Sequence, residues 1–231
     1  VLIEHGGHRL ELFPSGAILW NSTLLVADLH LGKESVFQKS GLAIPTGATE
    51  QTLLRLQDQL ASSSVERLVV LGDLLHAPAG WTADLERLLG DALQAAPCIR
   101  WELVAGNHDR RSHDKLRNLG WVVHSSPVAE GRMLWMHEPP EGPSDGPSDG
   151  QPPQQSQSTG SYATILCGHL HPSLKVPVDR KQSVRVRCYW IRPDSIVLPA
   201  FGGWVGTHPI EQSKQDRIIL CVGDELIEWK L

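Results

Sequence analysis

Trp101-Glu102-Leu103-Val104-Ala105-Gly106-Asn107-His108-Asp109 is an apolar run that stops at a glycine and then sets an amide, an imidazole and a carboxylate side by side. Such a run reads as a buried strand opening into a loop that carries chemistry. Asn107 offers a neutral oxygen to a hard cation, and His108 can ligate a metal or move a proton near neutral pH. Taken alone, the turn could equally cap the next helix. The same construction, however, occurs five times. Residues 23–27 deliver Asp28-Leu29-His30, and 67–71 end in Gly72-Asp73-Leu74-Leu75-His76. Residues 132–136 deliver His137, and 163–167 bring in Gly168-His169-Leu170-His171.

Around these runs the chain alternates. Residues 8–20 read as a hairpin turning at Pro14-Ser15-Gly16. Residues 46–63 read as a helix with Leu53, Leu56 and Leu60 on one face, and 82–95 as another with Leu85, Leu88, Leu89 and Leu93 inward and Thr82 as N-cap. A short helix is expected near 112–119 and a strand at 121–123. In the last third, Val184, Val186, Cys188 and Trp190 alternate with Arg185, Arg187 and Tyr189. That pattern is a half-buried strand with Arg185, Arg187 and Arg192 on its exposed face. A short strand follows at 196–200, and 218–222 and 226–229 flank a Gly223-Asp224 turn. Strands alternating with helices early and β-rich pairing late predict an α/β protein. Its two sheets would pack face to face as a sandwich flanked by helices, in a single domain over 1–231. Residues 138–161, with tandem Pro-Ser-Asp-Gly and a Gln/Ser tract, read as a disordered loop insertion.

The chain has 231 residues, 41% apolar and 20% charged, which suits a soluble globular domain with a sizeable core. No apolar run approaches the ~20 residues that a membrane helix needs, and no secretory leader is visible. Four scattered cysteines without a Cys-x-x-Cys pair point to reduced thiols in a cytoplasmic protein. The formal charge of −5 argues against binding through a uniform basic surface, although divalent ions in one cleft would reverse the sign locally.

The strand ends collect Asp28, His30, Asp73, Asn107, His137, His169 and His171. These are imidazoles and oxygen donors with no thiolate, a set that suits manganese, iron or zinc better than calcium or a structural zinc. Seven ligands exceed one ion and fit two, with one carboxylate bridging them. Two cations ~3.5–4 Å apart activate water and offset charge as phosphorus is attacked. The leaving oxygen then needs a proton, and His108 is placed to supply it. Six of the eleven histidines fall within or beside these motifs. His5, His8, His113, His124 and His208 do not, and read as ordinary histidines.

In order, Asp28-x-His30, Gly72-Asp73, Gly106-Asn107-His108-Asp109, His137 and Gly168-His169-x-His171 resemble the five-part signature of calcineurin-like metallophosphoesterases. The resemblance implies a two-sheet sandwich with a dinuclear centre at the strand ends. By position, Asp28, His30, Asp73 and His171 would hold one metal. Asp73, Asn107, His137 and His169 would hold the other, with Asp73 bridging. His108 would contact the phosphate and assist the leaving group, and Asp109 would orient it. Asp28-Leu29-His30-Leu31-Gly32-Lys33-Glu34, Gly41-Leu42-Ala43-Ile44-Pro45, Gly72-Asp73-Leu74-Leu75-His76 and Leu198-Pro199-Ala200-Phe201-Gly202 look like one branch, the bacterial ligase-associated DNA damage response endonucleases. That likeness implies manganese-dependent cleavage of single-stranded DNA, in repair alongside a ligase, a helicase and an exonuclease. His76 departs from the Asp or Asn many superfamily members carry there. Its imidazole would contact the scissile phosphate or donate a proton, or instead hydrogen-bond a metal ligand from outside.

For substrate, Lys33 lies just past the first motif, and Arg110 leads a basic stretch with Arg111, Lys115 and Arg117. The latter two serve equally as a solvated helix face. Trp204, between glycines, is the tryptophan placed to stack on a base or leaving group; the others read as core. Two alternatives stand beside the nuclease: a pyrophosphohydrolase of nucleotide-linked lipids, and a non-catalytic scaffold binding partners through 138–161.

Overall fold

In the computed structural model, which describes residues 1–62, 64–140, 162–179 and 182–230, the chain opens as an antiparallel meander. Its strands are β1 (Leu2–His5), β2 (His8–Leu12), β3 (Ile18–Trp20) and β4 (Thr23–Val26). The sheet then continues in parallel. Helices α1 (Lys33–Lys39) and α2 (Ala48–Ala61) lead to β5 (Arg67–Leu71), α3 (Ala83–Ala95) to β6 (Arg100–Val104), and α4 (His113–Asn118) to β7 (Val122–His124). The strand order is β1-β2-β3-β4-β5-β6-β7.

The second sheet holds β8 (Val128–Glu130), β9 (Met133–Trp135), β10 (Thr164–Cys167), β11 (Pro172–Pro177), β12 (Ser183–Ile191), β13 (Ser195–Val197) and β14 (His208–Pro209). Their order is β14-β11-β12-β13-β10-β9-β8. A hairpin of β15 (Arg217–Val222) and β16 (Glu225–Trp229) joins through β12.

Alternation along the central strands explains the layering. Leu24, Val26, Leu68 and Val70 point to a core with Leu53 and Leu56 of α2 and Leu85 and Leu89 of α3. Leu25, Val69, Leu71 and Val104 point the other way, to Trp135, Leu166, Tyr189 and Ile196 of the second sheet. Strands covered on both faces need apolar residues at every position, which is why these runs lack polar alternation. Thr82 caps α3 by accepting the Leu85 amide at 3.1 Å. No described helix is long and apolar enough to cross a membrane.

One expectation needs correcting. On β12 the set read as outward includes Tyr189, which is fully buried and faces the inter-sheet core. Its hydroxyl donates toward the carbonyls of Phe13 and Ala17, and Arg187 donates to those of Pro14, Ser15 and Ala200. The opposite face, with Cys188, covers a smaller outer cluster, while Val184 at the strand start is exposed. Backbone carbonyls satisfy the polar ends of the inner face, so polarity and burial part company there. The insertion expected over 138–161 lies, beyond residue 140, outside the described residues.

Candidate metal centre

All seven expected donors meet at the C-terminal ends of parallel strands of the two sheets. β4 delivers Asp28 and His30, β5 Asp73, β6 Asn107, β9 His137, and β10 His169 and His171. Neighbouring strand ends are stitched within each sheet, the Asp28 amide donating to the Gly72 carbonyl at 3.2 Å, that of His30 to Asp73 at 2.9 Å, and that of Gly168 to His137 at 3.0 Å. The His169 amide crosses between the sheets to Asp28 Oδ2 at 2.9 Å.

Turning so many side chains inward within a few residues requires unusual backbone. Among the described residues, six non-glycines have positive φ, and five are Asp28, His30, Asp73, His169 and His171, at 46–71°. Left-handed backbone costs on the order of 1–3 kcal/mol per residue, and such strain collects at functional sites. Glycines make the remaining room. A Cβ on Gly72 would stand 2.1 Å from His137 Nδ1, one on Gly106 2.3 Å from Asp73 Oδ1, and one on Gly168 2.6 Å from Asp28 Oδ2.

The donors fall into two clusters that could each hold a cation: Asp28, His30 and His171, and Asp73, His137 and His169. In the first, His30 Nε2 and His171 Nε2 face each other at 3.2 Å, and Asp28 Oδ1 lies 3.4 Å from His171 Nε2. In the second, His137 Nε2 lies 3.4 Å from Asp73 Oδ2, 3.1 Å from His169 Nδ1 and 3.2 Å from Asn107 Oδ1. Asp73 reaches both: its Oδ2 is also 3.9 Å from His30 Nε2.

The outer nitrogens fix the tautomers. His137 Nδ1 is 3.0 Å from the Leu71 carbonyl and His171 Nδ1 is 3.0 Å from that of Gly206, so each ring turns its Nε2 inward. Asp28 Oδ1 is buried and has no hydrogen-bond donor among the described residues. Around Asp28, His30 and His171, lone pairs therefore converge on lone pairs, an arrangement that a cation resolves. Titration separates the two clusters. Burial pushes His30 down to about 3, leaving its ring neutral despite Asp73. Burial also opposes charge on His137, but the Asp73 carboxylate, then Asp28, hold it up at about 9. Burial works against charge on Asp73 as well, yet His137 and His108 keep its carboxyl below the usual range.

His108 stays off this convergence. Its amide donates to Asp73 Oδ1 at 3.2 Å, while its ring, 38% exposed, places Nε2 3.8 Å from Asp73 Oδ2. Asp109 is fully buried, and its oxygens accept the amides of Leu75 at 3.1 Å and Gly106 at 3.0 Å. It thus orients the loop backbone, not the His108 ring. Burial raises its carboxyl to about 6, against those two amides. His76 stacks on His108 at 5.9 Å with planes 13° apart and meets His30 edge-on at 5.6 Å. Burial, then Lys33 and His108, lower its pKa.

Of the substrate candidates, Lys33 and Trp204 sit together: Lys33 Nζ donates to the Trp204 carbonyl at 2.8 Å, and Trp204 is 44% exposed. Arg110 lines a separate cleft of about 460 Å³ with Asn107 and His137. The histidines read as ordinary have other work, His5 bonding Thr164 and Arg192 and His124 bonding Glu102. Sequence reasoning passed over Glu34, whose buried carboxylate accepts the amide and hydroxyl of Thr49, both at 2.8 Å, next to the His30 turn. Its signal was its place at the end of the Asp28–Glu34 string.

Residues 22–132 match the family model of the calcineurin-like phosphoesterases. The stretch from β4 to β8 is thus similar to a calcineurin-like phosphoesterase domain. Among solved structures, the Pseudomonas putida nuclease MPE superposes on it with a TM-score of 0.78, at 29% identity and 99% coverage of both chains. The Aquifex aeolicus protein AQ665 reaches a TM-score of 0.40 at 17% identity, covering 69% of this chain and 81% of its own, too distant to carry an argument. No curated protein matches the chain. Calcineurin-like phosphoesterases are hydrolases of phosphoester bonds that use divalent metals, and the domain here presents two candidate sites for them.

Proposed function

We propose that the protein is a two-metal phosphodiesterase that cuts DNA, with manganese as its metal and single strands as its substrate. The observation that carries the hydrolytic reading is the Asp73 carboxylate facing both donor clusters with one oxygen. Similarity along the whole chain to a nuclease supports the nucleic-acid substrate. Asp28, His30 and His171 with Asp73 would hold one ion, and Asn107, His137 and His169 with Asp73 the other. When bound, the ions supply Lewis acidity at the phosphate and a nucleophile from water at neutral pH.

The remaining work falls to the chain itself. His108, exposed at the mouth of the site, hydrogen-bonds the phosphate and hands a proton to the leaving oxygen. Asp109 locks the loop that carries Asn107 and His108 through two buried amides. His76, neutral at pH 7, donates one N–H to a phosphate oxygen. Lys33 and Arg110 flank the centre as cationic contacts for the neighbouring phosphates, and Trp204 offers a face for a base. By resemblance, a ligase, a helicase and an exonuclease of DNA repair are the working partners, in the cytoplasm.

Digestion of circular single-stranded and duplex DNA with manganese, with and without chelator, tests this reading. Linearised single-stranded circles, dependent on metal, are expected. Circles left intact by a chain that still hydrolyses an aryl phosphodiester would redirect the substrate to a small phosphodiester, such as a nucleotide-linked lipid.

A further inference from the structure

Residues 201–206 form a strap over one donor cluster only. The Phe201 amide donates to the Ala27 carbonyl at 2.8 Å and the Gly202 amide to the Asp28 carbonyl at 3.1 Å. Five residues on, the Gly206 carbonyl accepts the Nδ1 proton of His171. The strap therefore holds the left-handed backbone of Asp28 and sets the ring of His171. Glycine at 202 permits the approach, since a Cβ there would meet the Leu29 carbonyl at 2.4 Å. Among the described residues, no hydrogen bond from the strap reaches Asp73, Asn107, His137 or His169. His137 leans on the Leu71 carbonyl and Asp73 on the His108 amide instead, and the other cluster touches the strapped one where the His169 amide donates to Asp28 Oδ2.

Two side chains tie the strap down. Lys33 holds the Trp204 carbonyl from the rim. Arg55, on α2, donates to the Phe201 carbonyl and lays its guanidinium 4.8 Å from the centre of the Phe201 ring. Two contacts of one planar group on one residue fix both position and tilt, which an ammonium cannot do. Arg55 touches none of the seven donors, and no motif marks it.

We propose that Arg55 is a positioning residue that tunes one of two metal sites, the Asp28–His30–His171 site, more strongly than its neighbour. This rests on the two-metal reading. Outer partners of a ligand typically change metal affinity by about 10–100-fold, and Arg55, acting through the strap, belongs at the lower end.

The test is calorimetric titration of metal-free full-length protein with manganese. Wild type should take up two ions. Arg55→Met should weaken one binding step about tenfold, the same step that His171→Ala removes, and leave the other within about twofold. Arg55→Lys should fall between. Lys33→Met, which cuts the other tie from the rim, is the second variant and should shift the same step in the same direction. Two unchanged steps, or equal weakening of both, would overturn the assignment while leaving the two-metal reading standing. A wild-type chain that binds fewer than two ions would overturn both.

Discussion

Asp73 Oδ2 lies 3.4 Å from His137 Nε2, a nitrogen whose ring partner Nδ1 is already committed to the Leu71 carbonyl. The carboxylate is thus placed to share a cation with the imidazole. Because the same oxygen also faces His30, Asp73→Asn should weaken both metal sites together, by more than the roughly 10–100-fold that follows loss of an outer partner. Counting bound manganese after gel filtration checks this. Retention of one full-affinity ion would mean that Asp73 serves a single site.

Asn107 and His108 are neighbours in sequence with separate tasks. Asn107→Ala should lower metal occupancy, since its Oδ1 joins the His137 cluster. His108→Ala should keep both ions and lose about 10²–10⁴ in kcat, the range for a lost general acid. Metal analysis alongside hydrolysis of an aryl phosphodiester separates the two. Loss of metal in the His108 variant would show that the loop is divided differently.

Gly72 has φ 76° and no space for a side chain, with His137 Nδ1 only 2.1 Å from the position of a Cβ. Gly72→Ala should cost at least roughly 1–2 kcal/mol from backbone alone and break the His137–Leu71 hydrogen bond. Thermal unfolding and manganese binding should both fall. A variant that kept wild-type metal affinity would refute the steric argument.

Glu102 tests the fold away from the centre. It is fully buried on β6, bonded by Arg67 at 2.5 and 3.0 Å and by His124 at 2.7 Å. Burial raises its carboxyl, but Arg67 and His124 outweigh that and hold its pKa below the ordinary glutamate value. A depressed folded pKa contributes stability that is complete above the unfolded value of about 4.3 and lost as pH falls through the folded value. Glu102→Gln should therefore cost roughly 3 kcal/mol at pH 7, and the gap between variant and wild type should narrow below about pH 4. Melting curves across that range decide it; a gap independent of pH would place the energy elsewhere.

The donors were legible because each follows a strand covered on both faces, so its apolar run is unbroken and the polar residues after it stand out. Helices α2 and α3 were legible from leucine spacing. Other elements gave little signal. Helix α1 is short and starts from Gly32 in left-handed backbone without a side-chain cap, and β1 and β8 are too brief to show a period. Contacts between distant segments were silent altogether. His5 bonds Thr164 across 159 residues, and Arg55 reaches Phe201 across 146. Tyr189 misled because its hydroxyl finds backbone acceptors that a periodicity cannot foresee.

The left-handed backbone of Asp28, His30, Asp73, His169 and His171 gives the centre a thermodynamic character of its own. Alanine at any of these positions would inherit the unfavourable conformation and lose the donor atom. Glycine would lose the donor atom but relax the chain, by about 1 kcal/mol relative to alanine. The most durable version of this fold is therefore an inert one, and each functional copy holds its catalytic geometry against a standing pull toward a more stable, silent protein.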